Sequence, residues 1–198
     1  STLDNRKKIK VDHVRFFARV QSFFADSRTQ VIAGILLLAL ALFMFIAYVS
    51  FFFTGAADAS LLDLPHAERV AHRGEITNFM GLVGAHIAAF LVDGSFGVFS
   101  VLVMFMLFLY GLQLLDAYKK ASWKLFFCSV FYLVWGSVLL GFIQLVTGVT
   151  SFFRWGGAHG AFLAEWLNSY IQPVGVIILL VVSLIIFLIC SDRQFIPR

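Results

Sequence analysis

Four long apolar stretches constrain this chain more than any other feature. Residues 31–53, 96–115, 125–146 and 174–190 contain no Asp, Glu, Lys, Arg or His. At a rise of 1.5 Å per residue each extends roughly 25 to 35 Å, which matches a hydrocarbon core of about 30 Å. Backbone amides buried that deep must bond within their own segment, so the stretches are read as helices. The expected fold is an all-α integral membrane protein with four transmembrane helices. With 61% apolar and 13% charged residues, there is no room for a sizeable soluble domain.

Basic residues set the expected orientation. Seven precede the first stretch (Arg6, Lys7, Lys8, Lys10, Arg15, Arg19, Arg28), and three lie between the second and third (Lys119, Lys120, Lys124). With Arg193 and Arg198 after the fourth, twelve of the fifteen Lys and Arg share one side. The other side mixes Arg69, Arg73 and Arg154 with Asp58, Asp63, Glu68, Glu75, Asp93 and Glu165. Positive-inside sorting predicts a multi-pass protein with both termini cytoplasmic and the longer connections outside. Tyr118 and Trp123 beside the basic loop, and Trp155, Trp166 and Tyr170 opposite, fit interfacial belts. The basic balance therefore reports topology, with a bilayer whose inner leaflet is anionic as the expected partner. Cys128 and Cys190 fall near the cytoplasmic ends of their spans and are read as small apolar side chains, not a disulfide. The run beginning at Val31 is too long and starts too late for a cleavable signal peptide. The first residue, Ser1, points to a processed or trimmed start.

Three regions are expected. Residues 1–30 form a basic segment in which Ile9, Phe16, Phe17, Val20, Phe23 and Phe24 share a helical face opposite Arg15 and Arg19. That pattern predicts an N-terminal amphipathic helix on the inner leaflet, the competing reading being a helix packed on a soluble partner or neighbouring subunit. Residues 31–191 form the four-span domain, and residues 192–198 begin a cytoplasmic linker. Residues 54–77 open with Gly55 and carry Pro65 and mixed charges, which predicts a turn and a short helix.

Residues 78–92 are apolar but only about 22 Å long as a helix. Were they a span, Lys119, Lys120 and Lys124 would land outside, so they are expected to be interfacial or re-entrant. Asp93, Gly94, Ser95 and Gly97 then break the helix. Gly81, Gly84, Ala85 and Ala88 follow i, i+3, i+4, i+7 spacing, a small-residue stripe that admits close helix approach. Gly157, Gly160 and Ala161 repeat the start of that spacing before a helical stretch to Ile171, Pro173 and Gly175. Each half thus reads as outward span, outer connection, short glycine-striped helix and inward span, a parallel repeat. These seven small residues are the candidates for helix packing.

The order Asn78-x-x-Gly81-x-x-Gly84-Ala85, then Phe96-Gly97, then Gly111-Leu112-Gln113-Leu114-Leu115 closing the second span, resembles the four-span N-terminal domain of FtsK/SpoIIIE DNA translocases. The second Gly-Ala cluster, Gly175 and the final aliphatic span fit the same pattern, so the resemblance covers roughly residues 29–191. It implies a membrane anchor at the division septum, joined by a linker to a hexameric motor that moves DNA in cell division and chromosome segregation. No Gly-x-x-x-x-Gly-Lys-Ser/Thr phosphate loop occurs in these residues. The resemblance therefore implies that DNA and ATP are reached only through a motor these residues lack. Its implied partners are further copies of the chain, as a homo-oligomer, and division-site proteins.

Chemistry inside a bilayer usually needs ionisable groups at depth, and the four stretches hold none. Their strongest polar groups, Gln113 and Gln144, are of the kind that bond between helices. No catalytic residue, cofactor or metal site is assigned. The best metal candidates are Glu68, His72 and Glu75 at i, i+4, i+7 with His66 nearby, which one helical face could present to zinc or iron. Without a His-Glu-x-x-His pattern or cysteine ligands, a solvated helix with pairs such as Glu68 with Arg69 or Arg73 is preferred. His86 and His159 are read as hydrogen-bonded interfacial residues and Asp93 as a helix end. Two functions remain: a membrane-anchoring assembly module, which is preferred, and a small transporter or channel subunit. The second would need a polar midplane cavity built from little beyond Gln113, Gln144 and hydroxyls.

Overall fold

A computed structural model describes residues 26–118 and 123–191. The expected N-terminal amphipathic helix, Lys119, Lys120 and the linker lie outside those residues. Within them the elements are α1 (Ser27–Leu62), α2 (His66–Ala71), α3 (Gly81–Leu91), α4 (Val101–Leu114), α5 (Trp123–Thr147) and α6 (Gly157–Ser191). Four stretches are long and apolar enough to cross a membrane: α1, the composite Gly81–Leu114, α5 and α6. This is a multi-pass, all-α membrane protein in which α2 lies outside the four stretches and α3 forms the first part of the composite one.

The carboxylate of Asp26 caps α1, accepting the Arg28 N–H at 3.3 Å. The helix then runs 36 residues, about 54 Å, straight through Gly55. The turn and short helix expected within residues 54–77 form beyond Gly55, the turn at Asp63 and Leu64 and the helix as α2. A glycine costs a helix only about 1 kcal/mol relative to alanine. Here the Phe51 and Phe152 rings cover its bare face, and Ala56, Ala57 and Ala59 favour continued helix.

The chain folds as two antiparallel pairs. In the first, α4 descends along α1, with Val98 level with Tyr48, Met104 with Ala41, and Gly111 with Gly34. In the second, the later part of α6 descends along α5. There the Trp135 indole donates to the Leu180 carbonyl at 3.1 Å, Phe131 stacks on Phe187, and Cys128 lies 3.5 Å from the Ser191 hydroxyl. The end holding Arg28 and Lys124 is termed the basic end, and the opposite end the joint end.

Both pairs carry a short helix that crosses the outward span instead of following it. The turn before α3 is tied to Ala47 and Ser50, while Leu91 at its end and Val92 after it share a core with Ala47, Tyr48 and Phe51. A helix about 16 Å long thus meets only about 6 Å of α1, so it lies across it. In the second pair, residues 157–171 do the same: Gly160 rests on Ser137, and Ala164 packs with Val138 and Phe142.

A break then turns each chain into its inward span. After α3, a π-turn (Val92–Phe96) and a 3-10 turn (Gly97–Ser100) intervene, with Ser95 outside helical geometry and Gly97 at φ 69°. Inside α6 the break is Gln172, at φ 59°, followed by Pro173. Proline excludes helical backbone at the preceding residue and suits the first turn of the helix it starts.

Candidate functional site: a glycine-lined joint between the halves

The candidate packing residues fall into three groups. Gly84, Ala85 and Ala88 are buried, and Gly84 and Ala88 pack against α1 of the same chain. A Cβ at Gly84 would collide with Met80 and come 2.9 Å from the Asn78 side-chain oxygen and 3.3 Å from the Ala47 Cβ. Gly157 and Gly160 are also buried, and Ala161 is half-buried beside them, its amide against Gly141. Gly81 takes no part in these contacts. It opens α3 at φ 64°, and a Cβ there would meet nothing within 4 Å.

Polar side chains lock α3 onto α1. Asp58, 2% exposed, accepts three hydrogen bonds: from the Thr77 N–H at 2.8 Å, the Thr77 hydroxyl at 2.8 Å and the Asn78 N–H at 3.0 Å. The Asn78 amide donates to the Ala47 carbonyl at 3.1 Å, and its oxygen accepts from the Met80 N–H at 3.0 Å. The Phe79 N–H reaches the Ser50 hydroxyl at 3.0 Å. These donors lie in the turn before α3, outside its hydrogen-bond ladder, so the side chains of α1 satisfy the backbone that leads into the helix. Farther along, the Tyr48 hydroxyl donates to the Val98 carbonyl at 2.5 Å, and the Ser100 hydroxyl to the Leu91 carbonyl.

The second half is held by bare backbone. A Cβ at Gly156 or Gly160 would fall inside the Ser137 carbonyl, and one at Gly141 inside the Gly160 carbonyl. The Ser137 hydroxyl donates to the Gly156 carbonyl at 2.5 Å. Gly136 provides the space that the Phe99 ring of the other half occupies.

Gly97 and Gly157 interlock where the halves meet. Gly157 also has positive φ, 67°, and a side chain on either residue would enter the backbone of the other loop. The Val98 N–H donates to the Trp155 carbonyl at 3.0 Å across this contact. Beside it the Arg154 guanidinium grips Asp93 with two bonds, 2.7 and 3.2 Å, and the Arg154 N–H adds a third at 2.9 Å. These hydrogen bonds raise the Arg154 pKa further above its ordinary value, against a lowering by partial burial. Gln144 accepts the Trp155 N–H at 2.8 Å, so it ties a span to this loop. The rings of Phe51, Phe52, Phe152 and Phe153 close the joint, with centroids 4.9 to 6.1 Å apart along the cluster.

The residues that build this joint all fall within one family match. The 4TM region of DNA translocase FtsK/SpoIIIE matches residues 26–195. The chain belongs to the FtsK/SpoIIIE family, as its four-span membrane domain. No curated protein and no solved structure matches it. The matched region of FtsK/SpoIIIE is the membrane-anchoring part and has no catalytic motor, and the joint has the same character: its polar groups are spent on one another.

The remaining sequence candidates are not brought together. Helix α2 ends at Ala71, so His72 caps it and Glu75 lies beyond; Glu68, His72 and Glu75 do not share a helical face. His72 instead pairs with Glu75 at 2.8 Å, which raises its pKa above the usual 6.5. Among the described residues no group of three or more potential ligands could hold a metal ion. His86 pairs with the Arg69 guanidinium at 3.1 Å, and His159 lies edge-on to Phe96 at 4.8 Å. Sequence reasoning missed Asp58 and the Asp93–Arg154 clasp. Asp58 carried one usable signal: it sits among alanines at the end of a helix-length run, where a lone carboxylate needs a partner.

Proposed function

We propose that this domain anchors a septal DNA translocase in the bacterial inner membrane, with both termini cytoplasmic, and serves cell division and chromosome segregation. The family match over residues 26–195 is the observation that carries this reading. Arg28 and Lys124 at one end and the more acidic connections at the other support the orientation and an anionic leaflet at the basic end. Fixing many copies in one membrane patch raises the local concentration of whatever follows the last span, so assembly of a motor becomes effectively intramolecular. DNA and ATP are engaged only by that motor.

Self-association and contacts with division-site proteins belong to the same reading. The small-residue stripes are occupied within the chain, so contacts between copies use other surfaces. The aliphatic flank of residues 173–191 is one, with Val174, Ile178, Val181 and Ile185 all exposed. The crevice between α1 and α4 beside Ala41 and Met104, and the one between α4 and α5 beside Leu102 and Met106, are lined mainly by apolar side chains. Gln113 lines a pocket at the basic end, away from the midplane where the transporter alternative needs polar groups.

The test is to read the source gene beyond the codon for Arg198. A linker followed by a phosphate-loop ATPase is the expected outcome. A stop codon would overturn the anchor reading and bring the transporter forward. A fluorescent fusion that fails to collect at the division site would remove the septal role alone.

A further inference from the structure

We propose that Arg69 and His86 form a proton-operated latch, which keeps α2 docked on α3 while the imidazole is neutral. Helix α2 has six residues and buries none of them. A helix that short has no stability of its own, so what holds it must come from outside it. Among the described residues, one guanidinium nitrogen makes that tie. Arg69 Nη1 donates to the Leu62 carbonyl at the end of α1, at 3.2 Å, and lies 3.1 Å from Nε2 of the half-buried His86 on α3. The Nε atom of the same side chain is buried, which places the guanidinium in the corner between the three helices. The other side-chain bonds described for residues 65–75 stay within that connection: His72 to Glu75, and Arg73 to the Val70 carbonyl.

The chemistry of the pair fixes its protonation. Arginine carries donors only and keeps its charge, so His86 Nε2 must accept, and the neutral imidazole bears its hydrogen on Nδ1. A proton added at Nε2 would set donor against donor and cation against cation. Because one nitrogen makes both bonds, driving it from His86 also draws it off the Leu62 carbonyl. The cations facing His86 are Arg69 and His66, both on α2, and a charged His66 adds to the repulsion. Carboxylates on the neighbouring elements are engaged elsewhere or solvated. Asp58 of α1 binds Thr77 and Asn78, Asp93 after α3 binds Arg154, Glu68 acts on His72, and Asp63 is exposed. Docking is thus complete above the ordinary histidine pKa of about 6.5, the value an undocked ring has, and is lost as the pH falls below it. The His72–Glu75 pair responds with the opposite sign, since its contact favours protonated His72, so it cannot be the source of a loss in acid.

The experiment is amide hydrogen exchange on the intact 198-residue chain in detergent, at about pH 7.5 and about pH 5.5, corrected for the intrinsic pH dependence of exchange. The α2 amides, Arg69 and His72 among them, should lose about three- to tenfold of their protection at the lower pH. In His86→Gln, whose side-chain oxygen accepts from Arg69 but does not titrate, protection should stay constant. His86→Arg, charged at both values, should show the low protection throughout. Unchanged protection in the wild-type chain would overturn the proposal. So would a fall that persists in His86→Gln, which would assign the response to His66. An equal loss at the Thr77 and Asn78 N–H groups would also overturn it, because the Asp58 clasp would then be what responds. If the His86→Arg chain does not fold, His86→Gln alone decides between these outcomes.

Discussion

The two halves of this domain solve one problem with different materials. Each must hold a short helix across the span that precedes it. The first half does so with side chains: Asp58, Asn78 and Ser50 bind the backbone around the start of α3. The second half does so by leaving side chains out, so that Gly141, Gly156 and Gly160 bring backbone against backbone beside Ser137. One is a polar clasp and the other a steric fit. A clasp fails when something is removed, and a fit fails when something is added.

That contrast is open to direct attack. The largest effect is expected from Gly160→Leu, which forces a side chain into the Ser137 backbone. It should cost about 3 kcal/mol, read as lost resistance to denaturant in detergent-solubilised protein. Near-wild-type stability there would end the steric account of the second half. Asp58→Ala comes next. It strands the Thr77 and Asn78 N–H groups and should cost about 2 kcal/mol by the same readout. If Asp58→Ala proves harmless, the first half is held by its apolar core alone and the contrast collapses. The smallest effect belongs to Asp93–Arg154, whose side chains are 37% and 49% exposed. A double-mutant cycle with Asp93→Asn and Arg154→Gln should give a coupling of about 0.5–1 kcal/mol, shrinking with added salt. A coupling above this range would make the ion pair, and not the Gly97–Gly157 interlock, the main fastening between halves.

The spans could be read from sequence because the bilayer imposes its length on composition. A run without charges, such as Val31 to Phe53, is what a hydrocarbon slab of that thickness demands and what a water-facing helix would not keep. The break at Gly94 to Gly97 was readable for a similar local reason, since those residues disfavour continued helix. The clasp was not readable. The groups bound to Asp58 are mostly backbone N–H donors 19 and 20 residues away, and a backbone donor leaves no mark in a sequence. Arg154 and Asp93 lie 61 residues apart, so nothing local pairs them. The glycine spacing told of close approach without telling what approaches. For Gly84 it is the neighbouring span of the same chain, and for Gly81 it is nothing, since its place is fixed by backbone angle. The seam at Gly136, Gly141 and Gly156 went unnoticed because its spacing belongs to two elements at once.

The crossing helices bear on the lipid as well as on the protein. At the basic end the described residues present four helix cross-sections, whereas near the joint two further segments lie alongside Ala47–Phe51 and Ser137–Phe142. Ala47 and Phe51 belong to the apolar run of α1, so the added girth lies beside that run. The described residues therefore widen toward the joint, and lipid packed around them would meet a larger perimeter there than at the basic end.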